Sequence, residues 1–330
     1  MAGQGDAPRR GLLVTGGSGF VGRALLEQLA ANPAWAPRAL VRQRPAQQLV
    51  GVDYRLFGGL SAVDAAAGQF DLVDTVIHLA SRVHVMQETA IDPIAEFRRV
   101  NVDGTLSLAR SAAQAGVRRF IFVSSVKVNG ESTDGRMPFT ADEAPAPLDP
   151  YGISKREAEE GLRQLATQTG LEVVIVRPVL VYGPGVKANF RSMMNWLSNG
   201  LPLPFGAVHN KRSLVALGNL VDLLVTCIDH PAAANQTFLA SDGYDLSTTE
   251  LLQRLGQALG KPARLLPVPA AWLKGAATLV GKGALSRRLC GSLQVDIGKT
   301  REMLGWKPPL DVDQALRDTA INFLKEQDSK

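Results

Sequence analysis

Gly11-Leu12-Leu13-Val14-Thr15 runs directly into Gly16-Gly17-Ser18-Gly19-Phe20-Val21-Gly22, and Ala24-Leu25-Leu26-Glu27-Gln28-Leu29 follows with helical spacing. The order is a short apolar strand, a glycine turn and a helix. Glycines allow the tight turn and let the backbone approach a pyrophosphate, for which a helix N-terminus offers free N–H groups and a favourable dipole. Gly17, Gly19 and Gly22 fit G-x-G-x-x-G, and Gly16, Gly19 and Gly22 fit G-x-x-G-x-x-G. The flanking strand and helix separate this stretch from an ordinary glycine-rich turn.

Outward from that start, strands and helices alternate. Ala39-Leu40-Val41, Val73 to Leu79 and Phe120 to Ser124 read as strands, with helical stretches around 94–111 and 151–169. Glu172-Val173-Val174-Ile175-Val176-Arg177 is nearly all apolar, as a strand buried on both faces requires. The alternation predicts an α/β fold with a doubly wound parallel sheet. Pro145 to Pro150 is a proline-rich loop; Pro150 suits a first helical turn and Asp149 suits its cap. Residues 1–10 read as a flexible tail and 11–182 as a dinucleotide-binding domain to which the chain returns around 215–240. Residues 183–330 read mainly as a smaller lobe. Residues 268–290 are apolar with interspersed Lys and Arg. Packing against that lobe is expected ahead of lying on a membrane surface.

The 330 residues suffice for one large or two modest domains, and 45% hydrophobic with 20% charged residues suits a globular protein. Cys227 and Cys290 cannot build a disulfide framework and lack metal-ligand spacing, so buried thiols and no metal are expected. The first ten residues are unlike a signal peptide. No stretch reaches the ~18 apolar residues of a membrane span. The net charge of +5 is dispersed, which argues against a nucleic-acid partner. It suits a solvated surface with a few arginines for a diphosphate.

Tyr151-Gly152-Ile153-Ser154-Lys155 lies downstream of the Ser124-Ser125 pair. Four residues apart on a helix, Tyr151 and Lys155 share a face. The ammonium is then expected to stabilise the phenolate and lower a pKa near 10, so that the phenol passes protons near neutrality.

Several segments carry a family resemblance in order. Thr15 to Gly22 resembles the T-G-x-x-G-x-x-G fingerprint of extended short-chain dehydrogenases/reductases. Asp74 to Ser81 resembles the family's fourth strand and the turn over the cofactor. Asn101-Val102-Asp103-Gly104-Thr105 resembles the helix that braces the catalytic Lys, and Phe122-Val123-Ser124-Ser125 the strand end with the catalytic Ser. Arg177 to Gly185 resembles the passage into the substrate domain, and Leu304-Gly305-Trp306-Lys307-Pro308 a C-terminal signature of nucleotide-sugar members. The subgroup most resembled is that of UDP-sugar 4-epimerases and 4-ketoreductases, in the NAD-dependent epimerase/dehydratase family.

The resemblance implies a Rossmann-type domain with a C-terminal substrate lobe, a cytoplasmic homodimer paired through the helices around 94–111 and 151–168, and a role in surface polysaccharide precursor synthesis. It makes Tyr151 the general acid/base. Lys155 holds the nicotinamide ribose and lowers the Tyr151 pKa, and Ser125 binds the reacting oxygen. Ser125 is preferred to Ser124 because it stands five residues before Gly130; Ser124 is left to the cofactor. Asn101 is expected to anchor a group that positions Lys155. Further cofactor contacts are implied at Gly16, Gly19, Phe20, Val21, Gly22, Leu79, Ala80, Ser81, Pro178 and Val181. For the substrate, Arg212 and Asn189 are implied at the diphosphate. Lys127 either contacts the sugar or projects into solvent. His84 stands near the sugar pocket but outside the catalytic set.

The second strand ends Leu40-Val41-Arg42-Gln43-Arg44. No carboxylate is placed for the ribose 2′-OH of NAD, whereas Arg suits a 2′-phosphate. This points to NADP(H) ahead of NAD(H). The family's adenine clamp is altered, with Gly59-Leu60 near its place. Sugar 4,6-dehydratases carry an Asp-Glu pair directly after the Ser; here Val126 and Lys127 stand there, so elimination is excluded. Three readings remain. The first is reduction of a UDP-4-keto-6-deoxy-N-acetylhexosamine. The alternative is 4-epimerisation of a UDP-hexose or UDP-N-acetylhexosamine with bound NAD. The third is a non-catalytic dinucleotide-binding module.

Overall fold

The computed structural model describes residues 9–59, 68–83, 92–279, 283 and 289–328. His84, Leu60, 280–282 and 284–288 therefore lie outside the described residues. In chain order the strands are β1 (Arg10–Thr15), β2 (Trp35–Val41), β3 (Asp53–Leu56), β4 (Val73–His78), β5 (Arg119–Val123), β6 (Glu172–Pro178), β7 (Leu180–Tyr182), β8 (Arg212–Ala216), β9 (Thr237–Ala240) and β10 (Asp245–Leu246). The helices are α1 (Phe20–Ala31), α2 (Pro93–Arg98), α3 (Gly104–Gln114), α4 (Pro150–Thr169), α5 (Ala188–Ser198), α6 (Leu217–Asp229), α7 (Thr248–Ala258), α8 (Ala270–Leu279), α9 (Gly298–Leu304) and α10 (Val312–Asp328).

Two compact units divide the chain. One holds residues up to 130, then 144–177 and 223–238; the other holds 131–143, 178–222 and 239–330. The first unit is built on a seven-stranded sheet of order β3-β2-β1-β4-β5-β6-β9. β3 through β6 in that order run parallel. This is the doubly wound Rossmann-type sheet, with its order reversing between β1 and β4. Ligands of such sheets bind outside the strands' carboxyl ends at that switch point. The apolar runs form the core: Leu13, Val76, Phe120, Phe122, Val173 and Ile175 pack with Leu108, Ala112, Ala158 and Leu162. Each such side chain contributes roughly 1.5–3 kcal/mol.

β3 was not legible in the sequence. It is a four-residue edge strand in which Tyr54 alone is buried, so it lacks an apolar run. The helix expected around 94–111 is not continuous. A π-helical segment, Arg99–Asp103, separates α2 from α3 and places Asn101 in the interior. Such π segments mark functional positions more often than chance. α4 starts as expected: the Asp149 side chain accepts from Gly152 N, and Pro150 is in the first turn. It ends at Gly170, in the left-handed conformation.

In the second unit β7 and β8 pair parallel, and β10 pairs antiparallel with β8. α9 ends at Gly305, φ 59°, and Trp306 is buried with its indole N–H on Asp222 at 2.7 Å. α8 departs from the expected packing: Trp272 is 75% exposed and Leu279 89%. Both cysteines are buried, and neither is in a disulfide. Among the described residues there is no metal-ligand cluster and no helix long and apolar enough to cross a membrane.

Candidate active site

At the carboxyl end of β1 the glycines make a cradle that side chains would fill. A Cβ at Gly22 would stand 2.2 Å from the Gly16 carbonyl oxygen. Gly16 itself has φ 72°, and a Cβ there would meet Ala80 N at 2.8 Å. α1 begins at Gly19 without a side-chain cap and carries no acidic residue in its first turn. Its first N–H groups and dipole therefore suit an anion such as a pyrophosphate. Thr15 Oγ1 ties the turn to the next strand, accepting from Ala80 N at 3.2 Å and meeting His78 Nδ1 at 2.6 Å. Phe20 and Val21 open α1, and Leu79 N donates to Thr15 O at 3.2 Å. The cradle fits a dinucleotide.

The residues expected to do chemistry converge in the same unit. Tyr151 occupies the first turn of α4, and the Ser81 and Ser125 hydroxyls neighbour its phenol. Ser81 comes from the end of β4 and Ser125 from the end of β5. The two serines diverge in role. Ser124 is buried and donates to Glu159 Oε1 at 2.6 Å, whereas Ser125 faces Tyr151. Ser125 Oγ also accepts the Lys127 backbone N–H at 3.2 Å. That leaves its own hydrogen for another acceptor.

Lys155 lies buried on α4. Its Nζ donates to the Val123 carbonyl at 2.9 Å and sits 4.4 Å over the Phe122 ring. Burial pulls its pKa down to about 7, against the opposing charge of Glu159. The expected lowering of the Tyr151 pKa is not supplied by the protein alone. Burial pushes the phenol up to about 12, with the Asp149 charge adding to it, and the neighbouring Ser81 and Ser125 hydroxyls offset that only in part. The reason is geometric: the ammonium is turned to the Val123 carbonyl and lies 5.9 Å from the Tyr151 ring centre.

Asn101 joins two segments of this unit. It braces Ser154 and the loop after β4 rather than Lys155. Its Nδ2 donates to Ser154 Oγ and Arg82 O, each at 3.0 Å, and its Oδ1 accepts from Arg82 N at 2.8 Å and Ser81 Oγ at 3.1 Å. The π segment aims this amide inward between two walls of the site.

Other residues escaped the sequence reading. Glu159, fully buried, takes both its oxygens to Arg177, at 2.9 and 2.6 Å. The signal was available: Tyr151, Lys155 and Glu159 stand at i, i+4 and i+8. His78 is buried between Thr15 and Thr105, and burial, with a smaller effect of Lys155, holds its pKa down to about 3.

The remaining expected contacts are placed as follows. Arg42 and Arg44 are exposed just beyond β2. Lys127 is not turned to solvent alone, for its ammonium pairs with the Asp149 carboxylate. Asn189, Arg212, Val181 and Pro178 belong to the second unit. Asn189 is exposed in the first turn of α5. Arg212 donates to the Gly291 carbonyl at 3.1 Å.

A family model described as the NAD dependent epimerase/dehydratase family matches residues 12–240. A UDP-glucose 4-epimerase of Vibrio cholerae is 47% identical over 321 residues, 96% of each chain. A UDP-glucose 4-epimerase of Thermotoga maritima, solved with UDP-glucose, shares the fold with a TM-score of 0.77 at 23% identity, over 96% of this chain and 99% of that one. RMD of Pseudomonas aeruginosa, complexed with NADPH, shares it with a TM-score of 0.71 at 22% identity, over 96% and 99%.

Proposed function

The chain belongs to the NAD dependent epimerase/dehydratase family as a nicotinamide-dependent enzyme of nucleotide sugars, and we propose that it is a 4-epimerase of a UDP-hexose or UDP-N-acetylhexosamine. The observation that carries the chemistry is the meeting of Tyr151 and Ser125 on one side of a dinucleotide-shaped cradle. The likeness to the Vibrio cholerae 4-epimerase supports the epimerase reading over reduction of a 4-keto sugar.

In this reading Ser125 hydrogen-bonds the oxygen at C4, and Tyr151 exchanges its proton with that oxygen. At neutral pH the protein alone keeps the phenol protonated, ready to donate. Lys155, titrating near 7, is the cation available to favour the phenolate when Tyr151 must accept. Gly16, Gly19 and Gly22 hold the diphosphate end of the dinucleotide, and Lys155 its nicotinamide ribose. The bound dinucleotide supplies the hydride acceptor and donor. Val126 is buried and Lys127 is ion-paired, so neither offers the acid needed to expel water from a neighbouring carbon. Asn189 and Arg212 serve the UDP diphosphate, and the active form is a homodimer.

One observation favours a second reading. Arg42 and Arg44 stand exposed just beyond β2, without a carboxylate between them. A guanidinium there favours the 2′-phosphate of NADP(H), the soluble reductant of a 4-ketoreductase. Incubation with UDP-glucose or UDP-N-acetylglucosamine, without added cofactor, separates the two. Interconversion at C4 that is lost in Tyr151→Phe establishes the epimerase. No interconversion, with stoichiometric oxidation of NADPH on a UDP-4-keto-6-deoxy-N-acetylhexosamine, overturns it in favour of the reductase.

A further inference from the structure

Two segments carry the Tyr151–Ser125 pair, and they meet at Lys127. The turn Val126–Val128 begins at Ser125, and α4 begins at Asp149, two residues before Tyr151. Their backbones touch. A Cβ on Gly152 would stand 2.8 Å from the Lys127 carbonyl oxygen and 3.1 Å from Pro147 Cβ, so only glycine allows the approach. Ala146 N donates to Val128 O at 3.0 Å, tying the incoming loop to the same turn.

Side chains complete the junction. Asp149 uses Oδ1 to cap α4, accepting from Gly152 N at 2.6 Å, and Oδ2 to pair with Lys127 Nζ. Both partners are largely buried, with side chains 29% and 23% exposed. The pair is thus shielded more than a surface ion pair, and its geometry is fixed at both ends.

We propose that Lys127 is a positioning residue: paired with Asp149, it clamps the Ser125 turn to the first turn of α4 and cancels the negative charge beside the Tyr151 phenol. The assignment rests on Tyr151 being the acid/base of the proposed reaction. The groups around the phenol are Ser81 from the β4 loop, Ser125 from the β5 turn, and Asp149 and Lys155 from α4. The Phe97 ring of α2 lies 6.2 Å from the Tyr151 ring, with the Arg82 guanidinium 5.5 Å over Phe97. Of these, Asp149 alone is an anion, and its charge raises the phenol pKa. Lys127 is the cation directly on that carboxylate.

The test is a double-mutant cycle with Lys127→Met, Asp149→Asn and both together. Asparagine keeps an oxygen for the Gly152 cap. Lys127→Met is expected to lower kcat about tenfold with little change in KM. It should also move the pH profile of kcat alkaline by roughly half a unit. Asp149→Asn should move the profile the other way, and the double variant, with both charges gone, should bring it back near the wild-type position. If Lys127 binds substrate instead, Lys127→Met raises KM, Asp149→Asn leaves KM alone, the two effects add and the profile stays put. Tyrosinate absorbance at high pH, read as the difference from Tyr151→Phe in each background, needs no turnover. A later Tyr151 titration in Lys127→Met and an earlier one in Asp149→Asn support the charge cancellation even if no UDP-sugar reacts, in which case only the proposed reaction fails. Unmoved titrations overturn the assignment whatever the substrate.

Discussion

Replacing Lys155 by Met should abolish turnover and yet stabilise the protein at neutral pH. The ammonium is buried and its pKa is pulled from 10.5 to about 7. The unfolded chain therefore binds more protons between those two values, so stability rises with pH across that window and the cost of burial is full below it. At 1.36 kcal/mol per unit the cost is roughly 4–5 kcal/mol near and below pH 7. Methionine fills similar volume without a charge. It forfeits the hydrogen bond to the Val123 carbonyl and the contact with the Phe122 face, together worth roughly 2–3 kcal/mol. The net is a variant about 2 kcal/mol more stable at pH 7, or roughly 3 °C in Tm. As pH rises toward 10.5 the wild-type penalty vanishes, and the variant should become the less stable of the two. Thermal unfolding of both proteins without dinucleotide, from pH 6 to 10, reads the crossover. A variant less stable than wild type at pH 6–7, or a gap that ignores pH, refutes the reasoning.

Three further expectations follow from buried features. Gly22→Ala drives a Cβ to 2.2 Å from the Gly16 carbonyl, so it should cost about 3 kcal/mol and remove dinucleotide binding, read by denaturation and by fluorescence titration with NADH. Glu159→Gln leaves Arg177 buried without its anion and should cost about 3–5 kcal/mol in urea unfolding; a cost under 1 kcal/mol would deny the pair a stabilising role. His78 titrates at about 3 when folded and 6.5 ordinarily. The unfolded chain thus takes a proton that the folded one refuses, and stability should fall by up to about 5 kcal/mol as pH drops through that window. His78→Gln should flatten this acid limb; an unchanged limb would place the acid sensitivity elsewhere.

Much of the first unit could be read along the chain because its signals are local. The glycine spacing, the apolar runs of β1, β4, β5 and β6, and the Asp149-Pro150 start of α4 each depend on neighbours within a few residues. β3 was silent because a four-residue edge strand needs no apolar face. The π segment was silent because an inserted residue leaves the helical periodicity nearly intact. The substrate shows another limit. Absence of an acid pair at Val126 and Lys127 excluded elimination, but the basic residue Arg42 weighed toward a ketoreductase, whereas likeness over the whole chain supports a 4-epimerase. A single exposed loop residue carries less information than 321 aligned ones.

The sequence by itself determined the Rossmann-type sheet, the dinucleotide cradle and the identity of Tyr151, Lys155 and Ser125 as the groups to watch, because spacing on one helix and glycine stereochemistry are properties of the chain. Only the tertiary structure decided what those groups experience. Ser124 turns to Glu159 while Ser125 turns to Tyr151, Lys127 finds Asp149 from 22 residues away, and Asn101 holds Ser154 rather than Lys155. Burial then raises the phenol and lowers the ammonium, reversing the charge relation that their spacing alone suggested. Solvation and partners set a proton's affinity, and both are fixed by segments far apart in the chain.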